Sequence, residues 1–406
     1  MFKTILHLAY KNAFLRRSRA ILLIVMIGVS MAIMITLEGL YDGMSAHMIE
    51  KTKRSDSGDI SLFAKKYRIE GDIRFHINDA DKKVSKLKNL TGVKEALWRI
   101  ESSGLVQTAR KSRPAKLIGI DLQAEEQFGK FSDFLQEGSL DFGKNGIFIG
   151  NELAKKLGVH LHSKLIFSMQ DSRHQLQSVA FRIKAIIHTT NVSLDTQGLY
   201  IAREKLNQLL SLEKNSATQI ALMSKHTDDA RLQKRIQQEF PDLNVQSFIE
   251  LYPQLKETEQ LLKEFNQISF FIVMSVVFVG ILGVMYVSIL DRVREFGILL
   301  SIGYSYRYIR LQVLFEAVVL GLFGYILGAL LGWIFLEYLK NYGLDFRLFS
   351  AGMSMFGLDS TIYATIKVAY FSSTFIAIIV ASMLSVILPL RKIKILKPIE
   401  VIRSIG

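Results

Sequence analysis

The chain has 406 residues, half of them hydrophobic, with a mean hydropathy of +0.24, no cysteine and a formal net charge of +14. That composition points to a membrane protein, and the missing cysteines exclude a disulfide framework, thiol chemistry and any Cys-based metal site. The charge alone would also fit a nucleic-acid binder, so its placement has to decide.

Residues 1–19 carry Lys3, Lys11, Arg16, Arg17 and Arg19 with no acid. Further on, Arg292, Arg294, Arg307 and Arg310 stand against Asp291 and Glu295, and Arg391, Lys392, Lys394, Lys397 and Arg403 stand against Glu400. Eleven of the fourteen net charges therefore flank apolar runs. This is the positive-inside pattern, with those three segments and both termini in the cytoplasm. No helix-turn-helix, zinc or RNA-binding signature accompanies the charge, so no nucleic-acid partner is expected.

In chain order, Phe2, Ile5, Leu6, Ala9 and Ala13 fall at helical spacing, which predicts an interfacial amphipathic helix within residues 1–19 on the cytoplasmic side. Ala20 to Leu37 is a continuous apolar run, and the sequence after it offers no small-x-small cleavage site, so residues 20–40 read as an uncleaved first transmembrane helix. Residues 41–265 contain no run apolar enough to cross a bilayer and read as an inserted α+β extracytoplasmic domain. Two stalk helices frame it, one continuing the first span through Thr52, the other marked by Leu251, Leu255, Leu262 and Phe265.

Inside the domain the patterning predicts a helix over 77–90 and strands over 93–109 and 115–120 around the turn Lys111-Ser112-Arg113-Pro114. A strand over 146–150 enters a short helix over 151–157. Strands over 165–169 and 179–188 follow across a loop at 170–178, then a helix over 230–240 and a strand over 244–247.

Residues 266–290, 311–336 and 367–390 read as three more transmembrane helices, each long enough at about 1.5 Å per residue to cross a core of about 30 Å. Between them lie a cytoplasmic link at 291–310 and a periplasmic loop at 337–366, and a cytoplasmic tail occupies 391–406. The third span carries Gly321, Gly324, Gly328 and Gly332, the last three at four-residue intervals, and the fourth carries Ala377, Ala381 and Ser385. Small residues at this spacing let helix backbones approach closely in lipid. Glu316 lies just over one turn inside the third span, where a structural pairing with Arg310 or the basic tail is expected.

Catalytic signatures are absent. There is no G-x-x-x-x-G-K-[S/T] loop for ATP, no G-x-S-x-G elbow and no H-E-x-x-H. The pair His160-x-His162 reads as two imidazoles on one side of a strand, too few for a metal site. No enzyme, metal or cofactor is therefore expected on this chain. The basic run Lys51 to Arg54 reads as a solvated helix end.

The link has a physical logic of its own. Arg294 and Glu295 open a short helix on which Phe296, Ile298, Leu299 and Ile302 offer an apolar face. Gly303 can end it in a left-handed conformation, and Ser305 can cap the next helix. Ordinary loops between spans are short and polar, whereas this one is long and half apolar, as a knob seated in another protein would be.

Three stretches resemble the FtsX/MacB-type, or type VII, ABC transporter permeases: R-E-F-G-I-L-L-S-I-G-Y-S, F-E-A-V-V-L-G-L-F-G-Y-I-L-G and L-P-L-R-K-I-K-I-L-K-P-I-E-V-I-R. In the outer domain, L-I-G-I-D-L-Q-A-E-E, L-Q-E-G-S-L and G-I-F-I-G-N-E-L-A-K-K-L-G-V resemble the MacB-like periplasmic domain of the lipoprotein-releasing permeases LolC and LolE. Two departures stand out: the family's usual glycine after the last segment is replaced around His162-Ser163, and the loop at 170–178 lacks the proline of the LolC hook.

The resemblance implies an inner-membrane protein with an ATPase-coupling interface at Arg294, Glu295, Gly297, Ile298, Leu299, Ser301, Ile302, Gly303, Tyr304 and Ser305. It implies two copies of a separate LolD-like ATPase holding ATP and magnesium, a second permease copy or paralogue, a lipoprotein substrate and a periplasmic carrier. MacB-like export of a lipid, peptide or drug, and FtsX-like signalling to a cell-wall hydrolase, stay open beside lipoprotein release.

Overall fold

A computed structural model describes residues 9–14, 16–189, 191–225, 229–346 and 361–395. The first half of the expected amphipathic helix, the middle of the loop at 337–366 (347–360) and the end of the tail, with its Lys397, Glu400 and Arg403, lie outside the described residues. The chain divides into two compact units, one largely helical and one α/β.

The α/β unit, residues 46–258, is built from ten strands: β1 Ile60–Ala64, β2 Val93–Gln107, β3 Ser112–Ile120, β4 Leu135–Gly138, β5 Gly146–Gly150, β6 Lys164–Gln170, β7 Leu176–Ile187, β8 Gly198–Ala202, β9 Gln219–Ser224 and β10 Leu243–Ser247. One half is an antiparallel sheet in the order β10-β1-β9-β2. The helices Ala80–Lys88 and Asp229–Glu239 connect β1 to β2 and β9 to β10, which makes two split βαβ units of ferredoxin-like order. Leu87, Leu232 and Ile236 bury one face of that sheet among Ile60, Leu62 and Trp98.

In the other half β2, β3, β8, β5, β7 and β6 pair in turn, and β6 returns to pair with β2, closing a six-stranded barrel. Strand period two puts Ile100, Val106, Leu117, Ile149, Phe167, Ile183 and Leu199 together in one core. The alternate residues Ile118, Phe148 and Tyr200 join a second core with Phe131 and Phe134. The fifteen-residue β2 belongs to both halves and ties them together.

The hairpin turn between β6 and β7 is tighter than the sequence suggests. Residues 171–175 suffice, because the buried Asp171 accepts from the Arg173 and Gln175 amides at 2.9 Å each. Those bonds hold its carboxyl below the usual carboxylate range, the Gln175 amide contributing most. His160 and His162 lie in a turn, His162 with φ +65°, instead of on a strand, because Gly158 has already ended the helix Asn151–Leu157. No group of three or more metal-ligating side chains occurs among the described residues.

The helical unit contains parts of four helices long and apolar enough to cross a membrane: Arg17–Thr52, Pro253–Asp291, Tyr306–Tyr342 and Val368–Ser385, the last continued by Ile387–Ile395. The glycine stripe of the third lies against the first. A side-chain carbon at Gly324 would stand 2.6 Å from Ile27 Cβ, one at Gly328 2.5 Å from Met31 Cβ, and one at Gly332 3.1 Å from Ile35 Cβ. Gly321 faces Ser382 of the fourth helix. The buried face of that fourth helix is Tyr370, Thr374, Ile378, Ala381, Ser382 and Ser385, so the predicted stripe is right at Ala381 and Ser385 while Ala377 is only half-buried. Ala9 and Ala13 are buried, and Phe14 packs edge-on against Phe323, so residues 9–14 lie on the third helix.

Candidate functional site

The link folds as the helix Val293–Ser301 followed by a sharp stop. Gly303, at φ +90°, accepts the left-handed backbone. Its amide donates to Leu300 at 3.1 Å, and the Tyr304 amide reaches back to Leu299 at 2.9 Å, the paired bonds of a Schellman ending. Ser305 has the extended backbone of an N-cap, yet its hydroxyl makes no capping bond, so the next helix at Tyr306 starts without the side-chain cap that its sequence suggests.

Phe296 and Ile298 are two residues apart on a helix, hence about 200° apart around its axis. The predicted apolar face accordingly splits. Phe296 and Gly297 are buried within the helical unit, and Leu299 and Tyr304 are half-buried against the same core. Arg294, Glu295, Ile298, Ser301, Ile302, Gly303 and Ser305 are exposed, with Ile298 at 48% and Ile302 at 74%. These residues form a strip one turn apart, two apolar side chains framed by a cation, an anion and hydroxyls. Gly297 is buried and cannot meet a partner directly from that position.

Ion pairs fix the root of the link. Arg16 and Arg19 both reach Asp291, the second at 2.6 Å. Arg292 donates to Glu295 and to Glu316, each at 3.1 Å, and its guanidinium stands 5.1 Å from the Phe296 ring. Glu316 is 3% exposed, and among the described residues its partner is Arg292 instead of Arg310, while the side chains of tail residues 392–406 lie outside them. A buried carboxylate at this depth requires such a partner. A cavity of about 280 Å³ opens among Arg16, Arg19, Asp291, Arg292 and Glu316. Sequence reasoning did not pick out Arg292 or Asp291 as joint members, although charge at both ends of the link was the available signal.

Residues 268–398, about a third of the chain, match the family model described as FtsX-like permease C-terminal. No curated protein matches the chain. Among solved structures, the periplasmic region of MacB from Actinobacillus actinomycetemcomitans is 15% identical over 50% of this chain and 92% of its own length, at a TM-score of 0.33. The extracellular domain of the noncanonic ABC-type transporter YknZ from Gram-positive bacteria is 12% identical over 46% of this chain and 99% of its own, at a TM-score of 0.31.

Proposed function

We propose that the chain is the membrane subunit of an FtsX/MacB-type ABC transporter, set in the inner membrane with both termini and the link in the cytoplasm and the α/β unit in the periplasm. The observation that carries this reading is the exposed strip Arg294 to Ser305, ended by Gly303, inside a segment that matches the FtsX-like permease family and in a chain without a P-loop of its own. Two ATPase subunits, holding the ATP and magnesium, would seat that strip in a groove on each. A second permease copy or paralogue would complete the complex. Ile298 and Ile302 would supply the apolar contact, and Arg294 and Glu295 the register.

The substrate we propose is a lipoprotein, released from the inner membrane for delivery outward, on the strength of the LolC/LolE-like stretches in the α/β unit. The proline-free turn at 171–175 favours a LolE-like subunit over one that recruits the carrier itself. Affinity purification in mild detergent should bring along an ATPase with an intact P-loop; a preparation that never contains one would overturn the permease reading. Depletion of the protein should strand outer-membrane lipoproteins in the inner membrane. Normal lipoprotein sorting after depletion would leave export of another lipid, peptide or drug and FtsX-like signalling to a cell-wall hydrolase as the surviving readings.

A further inference from the structure

At the base of the α/β unit two distant parts of the chain end together. The first long helix gives way at Thr52 to a five-residue π turn, Lys53–Ser57, and the second begins at Pro253, directly after Tyr252. A π turn leaves one residue out of the regular helical ladder, and such turns often mark functional positions.

Each charged residue of this turn is fastened to a different neighbour. Lys53 holds Asp59 at 2.7 Å, and Arg54 donates to the Gly129 carbonyl at 2.7 Å and pairs with Asp133. The Asp56 carbonyl accepts from Arg99 Nη1, and the Asp56 carboxylate accepts the hydroxyl of Tyr252. Arg99 sits in the middle of β2, 2% exposed, and grips Glu125 with two parallel bonds, Nε to Oε1 at 2.5 Å and Nη2 to Oε2 at 2.7 Å. Burial opposes that cation, but Glu125 and then Asp56 outweigh it and hold the guanidinium above its ordinary pKa. Burial, reinforced by Asp56, likewise keeps the Tyr252 hydroxyl protonated and therefore a donor.

We infer that Asp56, Arg99, Glu125 and Tyr252 form a rigid joint that fixes the two stems, residues 46–52 and 253–258, to each other and to β2. The reading as a permease enters only in what the joint transmits: with both stems held to the strand common to the two halves of the α/β unit, a displacement of either stem is passed to both halves. A buried ion pair on its own would add little net stability over apolar packing. Its geometry here does something packing does not, because the bidentate fork orients the third arginine donor on Asp56, and Asp56 then has one direction left, toward Tyr252. Asp56 and Tyr252 are positioning residues in this scheme; Arg99 and Glu125 are the anchor.

The absence of cysteine makes the test clean. Glu50→Cys and Glu257→Cys, both at exposed positions on the stems, carry a spin-label pair in the full-length protein in detergent. The distance distribution between them should be single and narrow. Adding Tyr252→Phe, which removes one hydroxyl and keeps the ring, should broaden or split it. Amide protection over 53–57 should fall about tenfold while protection in β5 stays unchanged. Asp56→Asn, which keeps an acceptor oxygen, should restore the narrow distribution that Asp56→Ala loses. An unchanged distribution in both Tyr252→Phe and Asp56→Ala, or loss of protection in β5 together with 53–57, would overturn the joint. Neither readout uses ATP or a partner, so failure to find an ATPase would sink the permease reading and leave the joint standing.

Discussion

Gly328 and Gly303 belong to the same unit and answer opposite demands. A side-chain carbon at Gly328 would lie 2.5 Å from Met31 Cβ and 2.6 Å from the Gly28 carbonyl oxygen, whereas one at Gly303 would meet nothing within 4 Å. The first glycine is fixed by what surrounds it, the second by the direction the chain must take. Helices in lipid gain no hydrophobic drive from packing on one another, so close backbone approach through small residues is what holds them. The link needs no such approach. Its glycine turns the chain so that Ile302, 74% exposed, and Ser305 stay on the surface.

The largest effect should therefore come from filling the stripe. Gly328→Ala places its methyl against backbone and a β-carbon, neither of which can rotate aside, and should cost about 1–3 kcal/mol, read as a lower midpoint of thermal unfolding in detergent. Gly283→Ala, on the second long helix where nothing lies within 4 Å, is the control and should be neutral or gain up to about 1 kcal/mol from helix propensity. Equal responses at the two positions would erase the distinction between a packed and an open glycine.

The contrast also marks how far the sequence could be read. The four long helices were legible because length and unbroken apolarity leave one solution in a bilayer, and the strand Gly146–Gly150 with its helix Asn151–Leu157 was legible because periodicity changes sharply at the boundary. β1 and β9 were not. Residues 60–64 and 219–224 are buried along most of their length and so show little of the alternation that announces a half-buried strand. The helices Val192–Gln197 and Arg203–Leu209 are too short to carry a periodic signal, and closure of the barrel through β6 and β2 is a pairing between residues some sixty apart. In the link, the residue types were legible but the rotation of the helix was not, so Phe296 and Gly297 counted as surface although they face inward. The same ignorance of rotation left Arg292 out of the expected partners of Glu316.

A smaller effect is expected at the turn itself. A β-branched residue at φ +90° is strained wherever it stands, so Gly303→Val should cost about 1–2 kcal/mol locally and loosen the Schellman ending, while the unfolding midpoint of the α/β unit stays put. If the permease reading holds, ATP hydrolysis by the copurified ATPase should continue but lose its dependence on the transport cycle. Retained coupling would move the transmission element away from Gly303.

The smallest effect on stability should come from Ile302→Arg, and it divides the two regions most sharply. Ile302 is three-quarters exposed, so the substitution removes little buried area and should change stability by no more than about 0.5 kcal/mol. An apolar side chain at the centre of a seated strip is another matter: burying an added charge there without a counter-ion would carry a desolvation cost of several kcal/mol, enough to abolish copurification of the ATPase. Stability unchanged with the partner lost would separate exposure for docking from exposure by default. Stability unchanged with the partner retained would leave Ile302 a surface residue of an interhelical loop, and the docking strip would have to shrink toward Arg294, Glu295 and Ile298.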